Sequence, residues 1–132
     1  MFTLNPQLAA DSFFVTDLKI CRVLLMNNAN YPWLILVPKI AGAVELTDLD
    51  FAIQQEILAE INVAAKVLQQ KFKPHKLNIG ALGNMVRQLH IHVIARQESD
   101  PSFPKPVWGQ LSEPYSQNDA NGLVREIKNL LK

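Results

Sequence analysis

The sequence predicts an α+β fold with a mostly antiparallel sheet. Short apolar segments rich in β-favouring residues lie before and after a single long stretch with helical spacing, and a weaker helical pattern follows near the end of the chain. The chain has 132 residues, of which 48% are hydrophobic and 19% are charged. This composition is typical of a globular protein, and the length predicts one domain over residues 1–132.

The first half of the sheet is predicted from three apolar segments. Residues 12–15 and 19–26 are expected to form strands joined by a turn at Thr16-Asp17, and residues 27–32 have the composition of a turn. The continuous apolar run 33–37 has a proline on each side. Its short length indicates a buried central strand.

The long helix is predicted to begin at Thr47, as its cap, and to continue to about Gln70 before Pro74. A short strand is expected over 77–79 and a long strand over 86–95, with a flexible loop over 80–84 between them.

Beyond the long strand, residues 97–114 contain four prolines and look irregular. Ser116 with Asp119 is expected to cap a short C-terminal helix.

Charge and cysteine content exclude several functional classes. The net charge is +1 with no block of like charges, so we expect neither a nucleic-acid surface nor a membrane surface. Cys21 is the only cysteine, which precludes an internal disulfide and fits a cytoplasmic location. No signal peptide is expected, because the first residues lack a basic run and an apolar core.

The segment 87–96 carries the candidate chemistry. Alternate side chains of a strand share a face, so Gln88, His90 and His92 are expected on one face, with apolar residues on the other. Same-face neighbours lie roughly 7 Å apart. A neutral imidazole can attack phosphorus, and a second imidazole can donate to phosphate oxygens.

The two histidines leave alternatives open when they are considered alone. They could be catalytic, could form half of a metal site, or could be ordinary polar residues of a surface strand. The nearby Gly80 and Gly83 favour an anion site, because glycines let backbone amides approach an anion closely. His75 lies in a separate basic loop.

Three segments together resemble the histidine triad (HIT) family. The run Gln88-Leu89-His90-Ile91-His92-Val93-Ile94 is similar to its histidine signature, 78–84 to its phosphate loop, and 34–39 to its apolar strand ending in Pro-Lys. The resemblance covers roughly residues 10–97. It implies a HIT-like domain with a five-stranded antiparallel sheet, usually a homodimer, which binds purine nucleotides and acts as a hydrolase or transferase at the α-phosphate.

The resemblance also implies roles for individual residues. His90 matches the nucleophile that forms a nucleotidyl-histidine, and His92 matches the histidine that contacts phosphate. Dinucleoside polyphosphates and nucleoside phosphoramidates are the expected substrates, with no cofactor and no protein-bound metal. The expected substrate-binding residues are the ribose-holding Asn27, the phosphate-loop residues Asn78, Gly83 and Asn84, and Trp108 from the C-terminal segment.

Three departures from the family pattern put activity in doubt. Gln88 replaces the first histidine of the signature, which indicates a variant branch, and it is expected to be a catalytic residue together with His90 and His92. Trp33 replaces a further histidine, and Met85 replaces a serine or threonine near the leaving group. The alternative function is therefore a nucleotide-binding module with weak or no catalysis, and a metal-dependent enzyme is a more remote alternative.

Lys39 and Arg96 are expected to be solvated residues at strand ends.

Overall fold

The computed structural model describes residues 1–132 and confirms the predicted α+β fold. Five antiparallel strands form one sheet in the order β1-β2-β3-β5-β4. Their bounds are β1 Ser12–Asp17, β2 Cys21–Met26, β3 Trp33–Pro38, β4 Lys76–Gly80 and β5 Ile91–Arg96. All six residues of β3 and all six of β5 are buried, as expected for strands at the centre of the sheet.

Three α-helices accompany the sheet. They are α1 Pro6–Ala10, α2 Phe51–Phe72 and α3 Gln117–Leu130. The predicted cap of α3 is confirmed, since the Ser116 side chain accepts a hydrogen bond from the Asp119 N–H. The sequence analysis missed α1, although Asn5 caps it and Pro6 occupies its first turn, as is common at helix starts. No helix of the chain has the length and apolar character needed to cross a bilayer.

The sheet separates two apolar clusters. The larger cluster, of 19 buried residues, lies between the sheet and the two longer helices and includes Ile57 and Leu68 of α2. The smaller cluster, of 8 buried residues, covers the opposite face and includes Trp33, Ile94 and Val107. Residues of the N-terminal and C-terminal segments therefore pack on the sheet face opposite α2.

The predicted strand over 86–95 was wrong at its start, because β5 begins only at Ile91. The register explains the difference. Ile91 is opposite Leu36, which is the last position of β3 that pairs with β5, and His92 is opposite Gly80, which ends β4. Residues before 91 therefore pair with neither neighbouring strand, and the N–H of Leu89 donates instead to the carbonyl of Ala43.

The predicted start of the long helix was also wrong. Thr47 lies in a 3₁₀ turn, Leu46–Asp48, and the α-helix begins four residues later, after Asp50. The Asp48 carboxylate accepts hydrogen bonds from the backbone N–H groups of Val44 and Glu45, which stabilises this separate turn.

The turn predicted at Thr16-Asp17 was wrong as well. Both residues pair with β2, and the connection lies after Asp17.

Candidate functional site

Strand β5 carries the two histidines of the signature to the sheet face opposite α2. Ile91, Val93 and Ala95 join the larger apolar cluster, whereas His92 has the opposite orientation. His90 directly precedes the strand, and the His90 and His92 ring centroids are 4.9 Å apart. The predicted separation of a core face from a histidine face is therefore confirmed.

The imidazole of His90 is held in one tautomer. Its Nδ1 lies 2.7 Å from the carbonyl oxygen of Gln88. A carbonyl oxygen can only accept a hydrogen bond, so Nδ1 carries the proton and the lone pair of the neutral ring is on Nε2. The residue is 6% exposed and lines a cleft. His90 thus places a nucleophilic nitrogen in a confined space.

The imidazole of His92 is held in the other tautomer. The indole N–H of Trp33 donates to His92 Nδ1 at 2.9 Å, so this nitrogen has the lone pair and Nε2 carries the proton. Burial, together with the neighbouring His90, lowers the pKa of His92 to about 4. At neutral pH His92 is therefore an uncharged hydrogen-bond donor beside His90.

Two clefts meet at Trp108. The histidine cleft, of about 310 Å³, contains both histidines together with Gly83, Asn84 and Trp108. The second cleft, of about 510 Å³, lies along Trp33 and Trp108 and includes Asn27. The two share Asp11, Met26 and Trp108. Trp108 therefore separates a region beside the imidazoles from a larger region with aromatic walls.

Trp108 packs on His92 at a centroid distance of 5.3 Å and on Trp33 at 6.3 Å. Its indole Nε1 is buried and has no hydrogen-bond partner in the chain. A Cβ added at Gly80 would lie 3.6 Å from the Trp108 ring, an ordinary van der Waals distance, so the indole packs beside the end of β4.

The loop before β5 supplies the other wall of the histidine cleft. Gly83 has a φ of +73°, a left-handed conformation that favours glycine. Asn84 and Met85 follow it at the surface, and the Met85 side chain is 95% exposed. Met85 has a thioether where a serine or threonine would offer a hydroxyl, so it can donate no hydrogen bond to a ligand.

Two predicted ligand-binding residues lie outside the histidine cleft. Asn27 lines the larger cleft, and its Oδ1 accepts a hydrogen bond from the Tyr115 N–H at 2.9 Å, which leaves its NH₂ group free to donate. Asn78 lines neither cleft, and its Oδ1 accepts from Arg96 at 3.0 Å. Their contacts with a ligand stay predictions.

Gln88 has a different set of partners from the two histidines. Its Oε1 accepts from the Asn5 N–H at 2.8 Å, and its Nε2 donates to the Thr3 carbonyl at 2.9 Å. The side chain therefore holds the N-terminal segment beside the site. That segment leads into α1, whose Leu8 lines the histidine cleft, and sequence reasoning missed this contribution.

The expectation that Arg96 is a solvated strand-end residue was wrong. Arg96 is 1% exposed and forms a two-point ion pair with Asp100 at 2.8 and 3.1 Å. Its guanidinium also lies over the Tyr31 and Phe103 rings, both at 5.3 to 5.5 Å. The spacing of four residues between Arg96 and Asp100 predicts a contact only on a helix, and Arg96 ends a strand, so the sequence contained no clear signal for this pair. The pair anchors the loop that leads to Trp108.

Metal-ligating side chains are sparse around the two histidines. No group of three or more His, Cys, Asp or Glu side chains in the chain is arranged to hold a metal ion. His75 lies apart, near Glu98 and Phe103. A catalytic zinc site generally has three protein ligands, and His90 with His92 provides two.

Comparison with known proteins places this geometry in a family. A family model described as HIT domain matches residues 7–99, more than half of the chain. The chain belongs to the HIT domain family. Among solved histidine triad proteins, this HIT domain protein is 42% identical to one from Sinorhizobium meliloti, with a TM-score of 0.93 and coverage of 97% of this chain and 96% of that one. It is 40% identical to one from Marinobacter aquaeolei, with a TM-score of 0.95 and coverage of 99% and 96%.

A curated relative is more distant. The HIT domain protein is 29% identical to the AP-4-A phosphorylase of Mycobacterium tuberculosis over 133 residues. The match spans 93% of this chain and 67% of the relative.

Proposed function

We propose that this HIT domain protein is a nucleotide hydrolase or transferase that cleaves a nucleoside phosphoanhydride or phosphoramidate bond at the α-phosphate. The observation that carries the proposal is the opposite hydrogen bonding of the two adjacent imidazoles at Nδ1, since His90 faces the Gln88 carbonyl oxygen and His92 accepts from the Trp33 indole. His90 presents an unprotonated Nε2 in the cleft, and His92 presents a protonated one. A nucleophile and a neutral donor side by side suit attack on a phosphate group.

The reaction proceeds in two displacements. The lone pair of His90 Nε2 forms a bond to the α-phosphorus, while the bond from phosphorus to the leaving group breaks and the leaving group takes that electron pair. The Gln88 carbonyl continues to accept from Nδ1–H and stabilises the positive charge that the ring acquires. Water or another acceptor then displaces His90 from phosphorus.

His92 and the loop at Gly83 stabilise the transferring phosphate. The Nε2–H of His92 donates to a phosphate oxygen, and loop amides approach the same group because glycine at 83 permits the left-handed turn. Protonation of the leaving group comes from solvent or from the substrate itself in this scheme, since Met85 has no proton to donate.

The larger cleft accommodates the nucleoside. The partly exposed indole of Trp108 on its wall suits stacking on a purine, and the free amide NH₂ of Asn27 suits a ribose hydroxyl. The similarity to an AP-4-A phosphorylase supports a dinucleoside polyphosphate as the substrate.

A nucleotide-binding module with weak catalysis is the second candidate. The observations that favour it are the exposed thioether of Met85 in place of a hydroxyl and the engagement of Gln88 with the N-terminal segment. This function predicts nucleotide affinity without phosphate release.

The deciding experiment is intact mass spectrometry after rapid mixing with diadenosine tetraphosphate, with and without inorganic phosphate as an acceptor. We expect a transient adenylyl adduct on the wild-type protein, none on His90→Ala, and an unchanged adduct on His75→Ala as the matched control. Nucleotide binding without adduct or turnover would establish the binding module instead. Turnover by His90→Ala would remove His90 as the nucleophile.

The oligomeric state and location are proposed together with this function. We infer a cytoplasmic homodimer, because β1 and β4 each leave one edge of the sheet unpaired and the single Cys21 is free. Size-exclusion chromatography with light scattering at the monomer mass would contradict the dimer.

A further inference from the structure

The bond between Trp33 and His92 joins an indole to an imidazole where both are buried. Trp33 lies on β3 with its side chain on the same sheet face as His92, one strand away. Its Nε1–H donates to His92 Nδ1 at 2.9 Å, with the ring centroids 5.6 Å apart and the planes inclined by 64°. An indole nitrogen can donate a hydrogen bond but cannot accept one. The direction of this bond is therefore fixed by chemistry.

We propose that Trp33 is a positioning residue that holds His92 as a permanent Nε2–H donor and prevents proton exchange between positions 33 and 92. An imidazole at position 33 could donate or accept, so two facing imidazoles could interchange their roles. The indole allows only one arrangement. His92 then always presents its proton toward the histidine cleft and never a lone pair.

The surroundings of His92 leave little else to set its tautomer. The titratable side chains that line the histidine cleft with it are His90 and Asp11. Arg96, four residues further along β5, forms an ion pair with Asp100. From β4, the residue opposite is Gly80, which has no side chain. Trp108 packs on His92, but its indole nitrogen bonds to no group of the chain. Trp33 is thus the group that determines which nitrogen of His92 carries the proton.

The catalytic meaning of this arrangement rests on the proposed function. With His92 confined to donation, proton transfer during the reaction does not pass through it, and His92 acts on the phosphate solely by hydrogen bonding. The structural claim, by contrast, is measurable without any substrate. The tautomer of His92 and the proposed reaction can therefore be refuted separately.

The primary test is NMR of the full chain labelled with ¹⁵N at histidine and tryptophan. We expect His92 Nδ1 to have the ¹⁵N shift of an unprotonated nitrogen, Nε2 that of a protonated one, and a coupling across the hydrogen bond between Trp33 Nε1 and His92 Nδ1. A proton on His92 Nδ1 in the wild-type protein, or the absence of that coupling, would overturn the proposal. This measurement needs no variant to fold.

Two variants make the comparison specific. Trp33→Phe removes the indole N–H and should shift the His92 tautomer ratio about fivefold, as expected for one neutral hydrogen bond. Trp108→Phe is the matched control, because it removes the other indole beside His92 and should leave the ratio unchanged. An unchanged ratio in Trp33→Phe would show that Trp33 does not set the tautomer.

Trp33→His tests the second half of the proposal. Its Nε2 can occupy the place of the indole Nε1, because both atoms are two bonds from Cγ in a five-membered ring. We expect a new titration between about pH 5 and pH 8. Below it, the protonated ring at position 33 can only donate and should restore the Nε2–H tautomer of His92, whereas above it the two neutral rings should give a mixture of tautomers. If the adduct experiment shows an adenylyl adduct, the same titration should appear in the pH dependence of kcat/KM. A flat NMR titration in Trp33→His would refute the claim that the indole prevents proton exchange.

Discussion

The depressed pKa of His92 predicts a measurable loss of stability in mild acid. In the unfolded chain this imidazole takes up a proton near its ordinary pKa of 6.5, whereas in the folded chain burial, with His90 beside it, lowers the pKa to about 4. The unfolded state therefore binds more protons than the folded state between these values, and the free energy of unfolding falls as the pH is lowered through this window.

The magnitude follows from the two pKa values. Between about pH 8 and about pH 5, the difference in proton binding by this one group lowers the free energy of unfolding by about 2 kcal/mol.

The perturbation is His92→Asn, and the assay is urea unfolding at these two pH values. An asparagine Oδ1 lies near the position of Nδ1 and can accept from Trp33, but the side chain does not titrate. We expect the pH-dependent loss of stability to be smaller by about 2 kcal/mol in His92→Asn than in the wild-type protein. His75→Asn is the control for loss of a histidine side chain that is half exposed. Equal pH dependence in His92→Asn and the wild-type protein would refute the reasoning.

Three further substitutions, one of them with a matched control, test the packing of the chain. Asp100→Ala leaves the Arg96 guanidinium buried without its partner, and we expect a loss of about 3 kcal/mol in urea unfolding; a loss below about 1 kcal/mol would contradict a buried ion pair. Gln88→Ala removes two hydrogen bonds to the N-terminal segment, so hydrogen exchange at the Asn5 backbone amide should accelerate. An unchanged exchange rate would show that other contacts hold the N-terminal segment in place. Ile57→Ala, at a fully buried position of α2, should lower the free energy of unfolding by about 3 kcal/mol in thermal unfolding. Leu58→Ala, at the exposed neighbouring position, should lower it by less than about 1 kcal/mol. Equal losses in the two variants would contradict the orientation of α2.

The sequence determined those features that depend on neighbours along the chain. Alternation in β5 predicted that His92 lies on the opposite face from Ile91 and Val93, and the structure confirms it. The Ser116 cap and the apolar spacing of α2 were predicted for the same reason. Local periodicity is sufficient here, because a strand repeats every two residues and a helix about every 3.6.

Only the tertiary structure decided which partners the site residues have. The Gln88 amide meets backbone groups 83 and 85 residues away, and the indole of Trp33 meets His92 across 59 residues. Arg96 is close in sequence to Asp100, yet its burial depends on Tyr31 and on the loop beyond β5. Spacing along the chain can predict which face a side chain occupies. It cannot predict which distant donor or acceptor lies there, because strand order and loop packing bring those groups together. The contact from Trp33 is of this kind, and it sets the tautomer of His92.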